Sequence, residues 1–319
     1  MAAVVTGLPA CPATRSAALI RPLAGTGRRP VDRPEACHHL HNPCSSCFLV
    51  SVASRLEDLN EGQTALDLGC GSGSAAYARA RCRVVAIDVR RPATLPRPAR
   101  GGFVQADAAR LPLPDSSCHL VLASHSLEHI ADWRGAVREA ARVLRPEGVL
   151  GVTIPDGHSL SDALFRFLDK GREHVNRFRR EEFVTAVERQ TGLRLAAWRL
   201  LYSSYSFLNR QPGQRFGGRA RPLNWIPAPL LGSFLLAWNA IARAVDRRLG
   251  ARWSVYGWQL EFRREAADGA AEEPPEPNVC IQCGSSHPAA WLKAQGAVGG
   301  RLLRRYRCPA CKALNLFFD

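Results

Sequence analysis

The chain has 319 residues of which 46% are hydrophobic, so it is no low-complexity tract and has room for one full α/β domain plus a small appendage. It carries 43 basic against 28 acidic residues, a formal charge of +15, which points to a polyanionic partner as one reading. Its 11 cysteines, an odd count in a chain too long to need stapling, exclude a disulfide scaffold and fit metal binding in a reducing, cytoplasmic setting.

Residues 1–36 are rich in Ala, Pro and Arg. Leu8-Pro9, Cys11-Pro12 and Arg15 break any apolar run, so no signal peptide is expected there; a disordered tail is, with a transit peptide as the other reading. Cys37, His38, His39, His41, Cys44 and Cys47 gather potential ligands, and a second metal site, a substrate lid or a plain loop all fit them. Leu49, Val52, Leu56 and Leu59 predict an amphipathic helix over about 46–59.

Ala65-Leu66-Asp67-Leu68 then runs into Gly69-Cys70-Gly71-Ser72-Gly73. A buried strand feeding a turn of alternate glycines suits close approach of a ligand to the backbone. The Gly-x-Gly-x-Gly spacing differs from the Gly-x-Gly-x-x-Gly of dinucleotide enzymes, which disfavours a nicotinamide cofactor. A short helix is expected over 74–80, then a strand from Arg83 to Ile87 that ends in Asp88. An acid there, about 20 residues past the first strand, is placed to hold a ribose diol, or to cap a helix. Further strands are expected over 102–108, 118–123 and 149–154, with a helix between Leu127 and Leu144. Alternation at this rhythm gives a doubly wound, mostly parallel sheet with its ligand outside the carboxyl ends of the strands.

The stretches ALDLGCGSG, VVAIDV, QADAARLPLPDSSCHLVLASHSLEHI and RVLRPEGVLGVTIPD together resemble class I S-adenosylmethionine-dependent methyltransferases, the ubiquinone and menaquinone biosynthesis subgroup in particular. The resemblance covers roughly residues 45–200 and implies a seven-stranded Rossmann-like sheet and S-adenosyl-L-methionine as cofactor. It also implies that Asp67, Gly69, Cys70, Gly71 and Gly73 surround the methionine part and that Asp88, with Val89 beside it, holds the ribose. Asp107 and Ala108 would meet the adenine, and Ser124 would line the sulfonium. The sequence departs from the family in a short helix before Asp88 and in Glu147, where a glycine is common.

Methyl transfer from a sulfonium needs alignment above all, and a base only where the acceptor must lose a proton. His125, Glu128, His129 and His174 are the titratable candidates, with His129 and His174 singled out as catalytic. Glu128-His129 matches part of a Glu-x-x-Glu-His metal motif of some quinone-precursor enzymes, but His125 stands where its first Glu would be, which argues against magnesium. The segment from His174 to Phe178 resembles one that brings a His to the substrate in small-molecule members; a surface helix start is the other reading.

The methyltransferase domain is expected over 37–264, with a late strand at 254–262 and an apolar helical insert at 222–250. Leu231, Phe234, Leu235, Trp238, Ile241, Val245 and Leu249 make one stripe, bounded by Arg219 and Arg221 before it and Arg243, Arg247 and Arg248 at its end. Pro227 and Pro229 predict a helix too short to span a bilayer. Core packing, a lid and peripheral membrane contact all fit. An acidic, Pro-rich linker is expected over 265–278, then a zinc ribbon over 279–319. There Cys280, Cys283, Cys308 and Cys311 form two Cys-x-x-Cys knuckles, a set of four thiolates for a structural zinc with no open position. Arg301, Arg304, Arg305, Arg307 and Lys312, with Trp291 and Tyr306, would suit RNA or protein docking. The expected activity is methylation of a small-molecule or lipid-like acceptor. An RNA methyltransferase and a non-catalytic docking protein are the competing readings.

Overall fold

At the centre of the sheet, β1 (Thr64–Leu68) runs into the glycine turn. The computed structural model describes residues 53–168, 174–210, 215–265, 269–300 and 303–319. Residues 1–36, the 37–47 ligand knot and the first half of the helix expected at 46–59 lie outside the described residues; of the described half, Ala53–Leu56 is a 3₁₀ turn. After β1 come β2 (Arg83–Asp88), β3 (Gly101–Gln105), β4 (Cys118–Ser124), α1 (Trp133–Val143), β5 (Leu144–Pro155), α2 (Leu160–Phe167) and α3 (Arg180–Thr191). Then follow β6 (Arg194–Tyr202), α4 (Ala228–Leu249), β7 (Val255–Arg263) and β8 (Ala271–Glu273). They form one sheet in the order β3-β2-β1-β4-β5-β7-β6-β8, with β7 antiparallel to both of its neighbours and the other pairs parallel.

The alternation of side chains along each strand builds two apolar layers. Leu66, Leu68, Val85, Ile87, Val121 and Ala123 face the layer that α1 and α3 cover. Ala65, Val84, Ala86, Leu120 and Leu122 face the other, with Leu56, Ala76 and Tyr77. Asp67 shares the parity of Ala65, so it points toward Tyr77. α1 starts at Asp132, whose carboxylate accepts from the Gly135 amide at 2.8 Å. β5 starts earlier than the strand expected over 149–154, taking in residues 144–148, with an irregularity in its pairing to β4 between Cys118 and Leu120.

The sheet has eight strands rather than seven, because β8 lies inside the segment expected as a linker. The reason is charge pairing. Arg199 on β6 holds Glu273 at 2.7 Å and Glu276 at 2.8 Å, so acids that would solvate a linker are drawn onto the sheet edge.

α4 is longer than expected. Pro227 is its N-cap and Pro229 lies in its first turn, where a missing amide hydrogen costs nothing, so neither proline interrupts its 22 residues. By length and composition it could cross a membrane, which corrects the expectation of too short a helix. The single stripe expected on it is in fact divided. Leu231, Leu235, Asn239 and Ala242 are buried, whereas Phe234, Ile241 and Leu249 are exposed.

The C-terminal module comprises β9 (Asn278–Val279), β10 (Ser286–His287), α5 (Ala289–Ala294), β11 (Val298–Gly299), β12 (Arg305–Arg307) and β13 (Leu314–Leu316), in two small antiparallel sheets. It is fastened to the α/β core. The Asn209 side-chain amide donates to the Ile281 carbonyl at 3.1 Å and to Gln282 Oε1 at 2.7 Å. The Arg243 guanidinium of α4 lies 4.1 Å from the Tyr202 ring centroid and 4.3 Å from that of Phe318. Burial there lowers Arg243 to about 10.

Candidate functional site

The parallel strands β1, β2 and β4 end on one edge of the sheet, and the turns that follow them bring the candidate residues together. Gly69, Gly71 and Gly73 all have positive φ, at 74°, 50° and 91°. At Gly69 a Cβ would lie 2.4 Å from that of Ser126, so the turn must be bare there to pass the end of β4. Around Gly71 nothing lies within 4 Å of an added Cβ, so this part of the turn faces open space. The amides of Gly69 and Cys70 donate to the Ile87 carbonyl, which fixes the turn against β2.

Tyr77, on the 3₁₀ turn Ala75–Ala78, donates its hydroxyl to Asp67 Oδ2 at 2.5 Å. Burial raises Asp67 to about 6 even though Tyr77 pulls it down. Cys70 is buried, and burial pushes its thiol up, so it is a packing residue and no nucleophile. Asp88, at the end of β2, accepts from the Gly71 amide at 3.0 Å and from the Arg90 amide at 2.9 Å. Each oxygen thereby keeps acceptor capacity beside the glycine turn. Val89 next to it is exposed, and its carbonyl accepts from Gln105 Nε2. Asp107 is exposed after β3, its Oδ1 accepting from the Ala109 amide, and Ala108 is buried beside it. Ser124 ends β4, and its buried Oγ has no hydrogen-bond partner among the described residues.

Beyond Ser124 lies a titratable cluster. His125 adopts a positive φ of 50°, which turns the chain from β4 into the short 3₁₀ helix Leu127–His129. Its Nδ1 is 2.8 Å from the Tyr256 hydroxyl of β7 and 3.6 Å from Glu128 Oε1. Burial would raise Glu128, but the hydrogen bond and charge of His125, with His129 nearby, hold it below the usual carboxylate range. His129 meets His174 edge to face, ring centroids 4.7 Å apart, and Glu128, His129 and His174 each offer one ligand atom within 4.8 Å of the others. His125 is not part of that group of three.

Two residues that sequence reasoning passed over hold this arrangement. Asn176 Nδ2 donates to the carbonyls of Leu127 at 2.9 Å and Ile130 at 2.7 Å, which ties the His174 segment to the His129 turn. Arg166 on α2 binds Asp162 at 2.6 Å and donates to the carbonyls of His174 and Asn176. Asp162 Oδ1 in turn lies 3.6 Å from His174 Nδ1. Further along, Phe178 packs on Trp133 and Phe183 and anchors the segment in the core. A half-buried Asn and Arg whose partners are backbone carbonyls have no local sequence signature; the Asn two residues after His174 is the single hint.

The four cysteines of the C-terminal module meet as one cluster, all Sγ atoms within 4.8 Å. Cys280 Sγ lies 3.5 Å from Cys311 Sγ, and Cys283 Sγ 3.6 Å from Cys308 Sγ. These separations are too long for disulfides and suit thiolates around one ion at about 2.3 Å. Each knuckle closes with its own turn bond, Gly284 N to Cys280 O and Lys312 N to Cys308 O, with positive φ at Gly284 and Lys312. Asn315 Nδ2 and the Gln282 amide approach Cys280 Sγ at 3.5 and 3.4 Å, the donors a thiolate needs.

Residues 66–152 match a family profile described as a methyltransferase domain. The chain is similar to the 27-O-demethylrifamycin SV methyltransferase of Amycolatopsis mediterranei, 35% identical over 137 residues that cover 37% of this chain and 50% of that one. It is also similar to an O-methyltransferase of Pyrenophora dematioidea, 33% identical over 143 residues covering 39% and 54%. A probable S-adenosylmethionine-dependent methyltransferase of Mycobacterium tuberculosis is 37% identical over 110 residues, covering 33% and 40%. The chain spans about half the length of the curated relatives it matches, or less. Residues 66–152, the stretch that matches the methyltransferase-domain profile, run from β1 into β5 of the α/β fold.

Proposed function

We propose that the protein transfers a methyl group from S-adenosylmethionine to a small-molecule or lipid-like acceptor, with His129 and His174 serving the acceptor. The observation that carries this reading is one shared edge: the glycine turn and Asp88 end β1 and β2, and the His129–His174 pair follows β4 on the same side. Relatives named as methyltransferases of rifamycin and as O-methyltransferases favour a hydroxyl acceptor.

The cofactor supplies an activated methyl on a sulfonium. The residues fit it: an open space over Gly71, acceptor capacity on Asp88 and an unpartnered Ser124 Oγ are what a bound nucleoside and amino acid would use. In this reading Gly69, Gly71 and Gly73 let the backbone approach, Asp88 orients the ribose, and Asp107 with Ala108 borders the adenine. Asp67 shapes the turn through Tyr77. His174, oriented by Asp162 and the Arg166 bonds, takes the proton of an acceptor hydroxyl as it attacks, and His129 positions the acceptor beside it. The four cysteines would hold a structural zinc, with no position left for chemistry.

An RNA acceptor has less support, because Lys293 and Arg304 of the basic module both pair with Asp319. The test is formation of S-adenosylhomocysteine against a panel of phenolic, sugar and lipid-like hydroxyl acceptors. Turnover with one class that falls in a His174→Ala protein supports the assignment, and turnover on RNA alone would overturn it.

A further inference from the structure

The outward face of α4 is the largest feature that methyl transfer does not use. Leu230, Phe234, Ala237 and Ile241 follow one another at i, i+4, i+7 and i+11, a single row along the helix. All four are exposed; Leu230 is 62%, Phe234 58% and Ile241 52% accessible. Trp225, 89% exposed, and Ile226, also exposed, precede the helix, and Leu249 is exposed at its far end. Apolar side chains of this size in one row are not ordinary surface.

The charges around the row have one sign. Between Arg215 and Trp253 the sequence holds seven arginines and a single acid, Asp246. Asp246 is spent on the protein itself, accepting from the amides of Trp253 and Ser254 at 2.8 and 2.7 Å. Arg219 and Arg221 are exposed at the start of the apolar row, and Arg247 and Arg248 at its end. Arg219 also lies over Phe167 of α2, itself exposed, so the patch reaches the helix whose Phe165 packs on His174.

We propose that this face docks the protein on an anionic phospholipid surface, with α4 lying in the plane of the interface. Large apolar side chains would enter the acyl boundary while the terminal arginines meet lipid phosphates. The opposite side of the helix excludes a span. Leu231 and Leu235 pack with Tyr205, Leu208 and Ile281, and Asn239 donates to the Ser204 carbonyl at 2.9 Å, so one face of α4 is committed to the protein. Basic flanks whose one acid, Asp246, is engaged within the chain match a lipid surface better than a second copy of this face, whose arginines would repel its own.

The experiment is co-sedimentation of the full chain with vesicles of phosphatidylcholine alone or with phosphatidylglycerol. The expected result is binding that requires phosphatidylglycerol, weakens with salt and falls at least ~10-fold in a Phe234→Glu/Ile241→Glu protein or an Arg247→Glu/Arg248→Glu protein. Quenching of Trp225 by brominated lipid, lost in Trp225→Phe, reads the same contact in an otherwise unchanged chain. S-adenosylhomocysteine affinity should be unchanged in every variant, which keeps this test separate from the methyl-transfer reading. Absence of vesicle binding, or binding that ignores both double substitutions, would overturn the proposal. So would a dimer in solution that the Phe234→Glu/Ile241→Glu pair dissociates, which would assign the face to a second copy.

Discussion

The hydroxyl of Tyr77 and the carboxylate of Asp67 share a 2.5 Å hydrogen bond, buried beneath the glycine turn. Asp67 ordinarily ionises near 3.8 but does so near 6 in the folded chain, because burial outweighs the Tyr77 bond. The unfolded chain therefore gives up this proton first. Stability falls as pH rises from about 4 to about 6, by an amount on the order of 3 kcal/mol, and the loss persists above that window. Urea midpoints against pH should show this slope, Asp67→Asn should flatten it, and Tyr77→Phe should carry it to higher pH. An unaltered profile in Tyr77→Phe contradicts the assignment.

Asp88 is the residue on which cofactor affinity should depend most. Asp88→Ala removes the charged acceptor proposed for the ribose and frees the Gly71 amide, and should weaken S-adenosylhomocysteine at least ~10-fold with the fold intact. Asp88→Asn should fall between. Equal affinity in all three proteins would remove Asp88 from the site.

The His174 segment offers a way to separate position from chemistry. Asn176→Ala leaves the Leu127 and Ile130 carbonyls without their donor, costing about 1–3 kcal/mol of stability. Turnover should drop as the segment shifts, while S-adenosylhomocysteine affinity holds. His174→Ala should lower turnover by about 10²–10⁴ with little loss of stability. A normal rate in His174→Ala would leave the cluster a structural feature.

For the cysteine cluster, metal analysis should find one zinc in the native chain and little in Cys308→Ser. Because Ile281 packs with α4 and Phe318 covers Arg243, loss of the metal should also loosen α4, read as faster amide exchange over 228–249. Full zinc retention in Cys308→Ser contradicts a four-thiolate site.

Much of this was legible in the chain because it is local. Strand parity, the alternate glycines and the knuckle spacing each depend on residues a few positions apart, and the mostly parallel character of the sheet follows from the rhythm of strands and helices. The rest depends on partners distant in sequence. β8 forms because Arg199 finds Glu273 and Glu276, and Tyr256 reaches His125 only once β7 has inserted beside β5. α4 departs from expectation for a different reason: Pro229 reads in the sequence as a breaker, although in a first turn it is harmless, and the one apolar stripe divides into an inner row and an outer row.

Calorimetric titration of the purified full chain with S-adenosylhomocysteine tests the central claim most directly. Saturable binding of one molecule per chain, weakened by Asp88→Ala and by Gly71→Val, is the expected result. A folded, zinc-containing protein that does not bind it would contradict the methyltransferase assignment and leave the fold a docking scaffold.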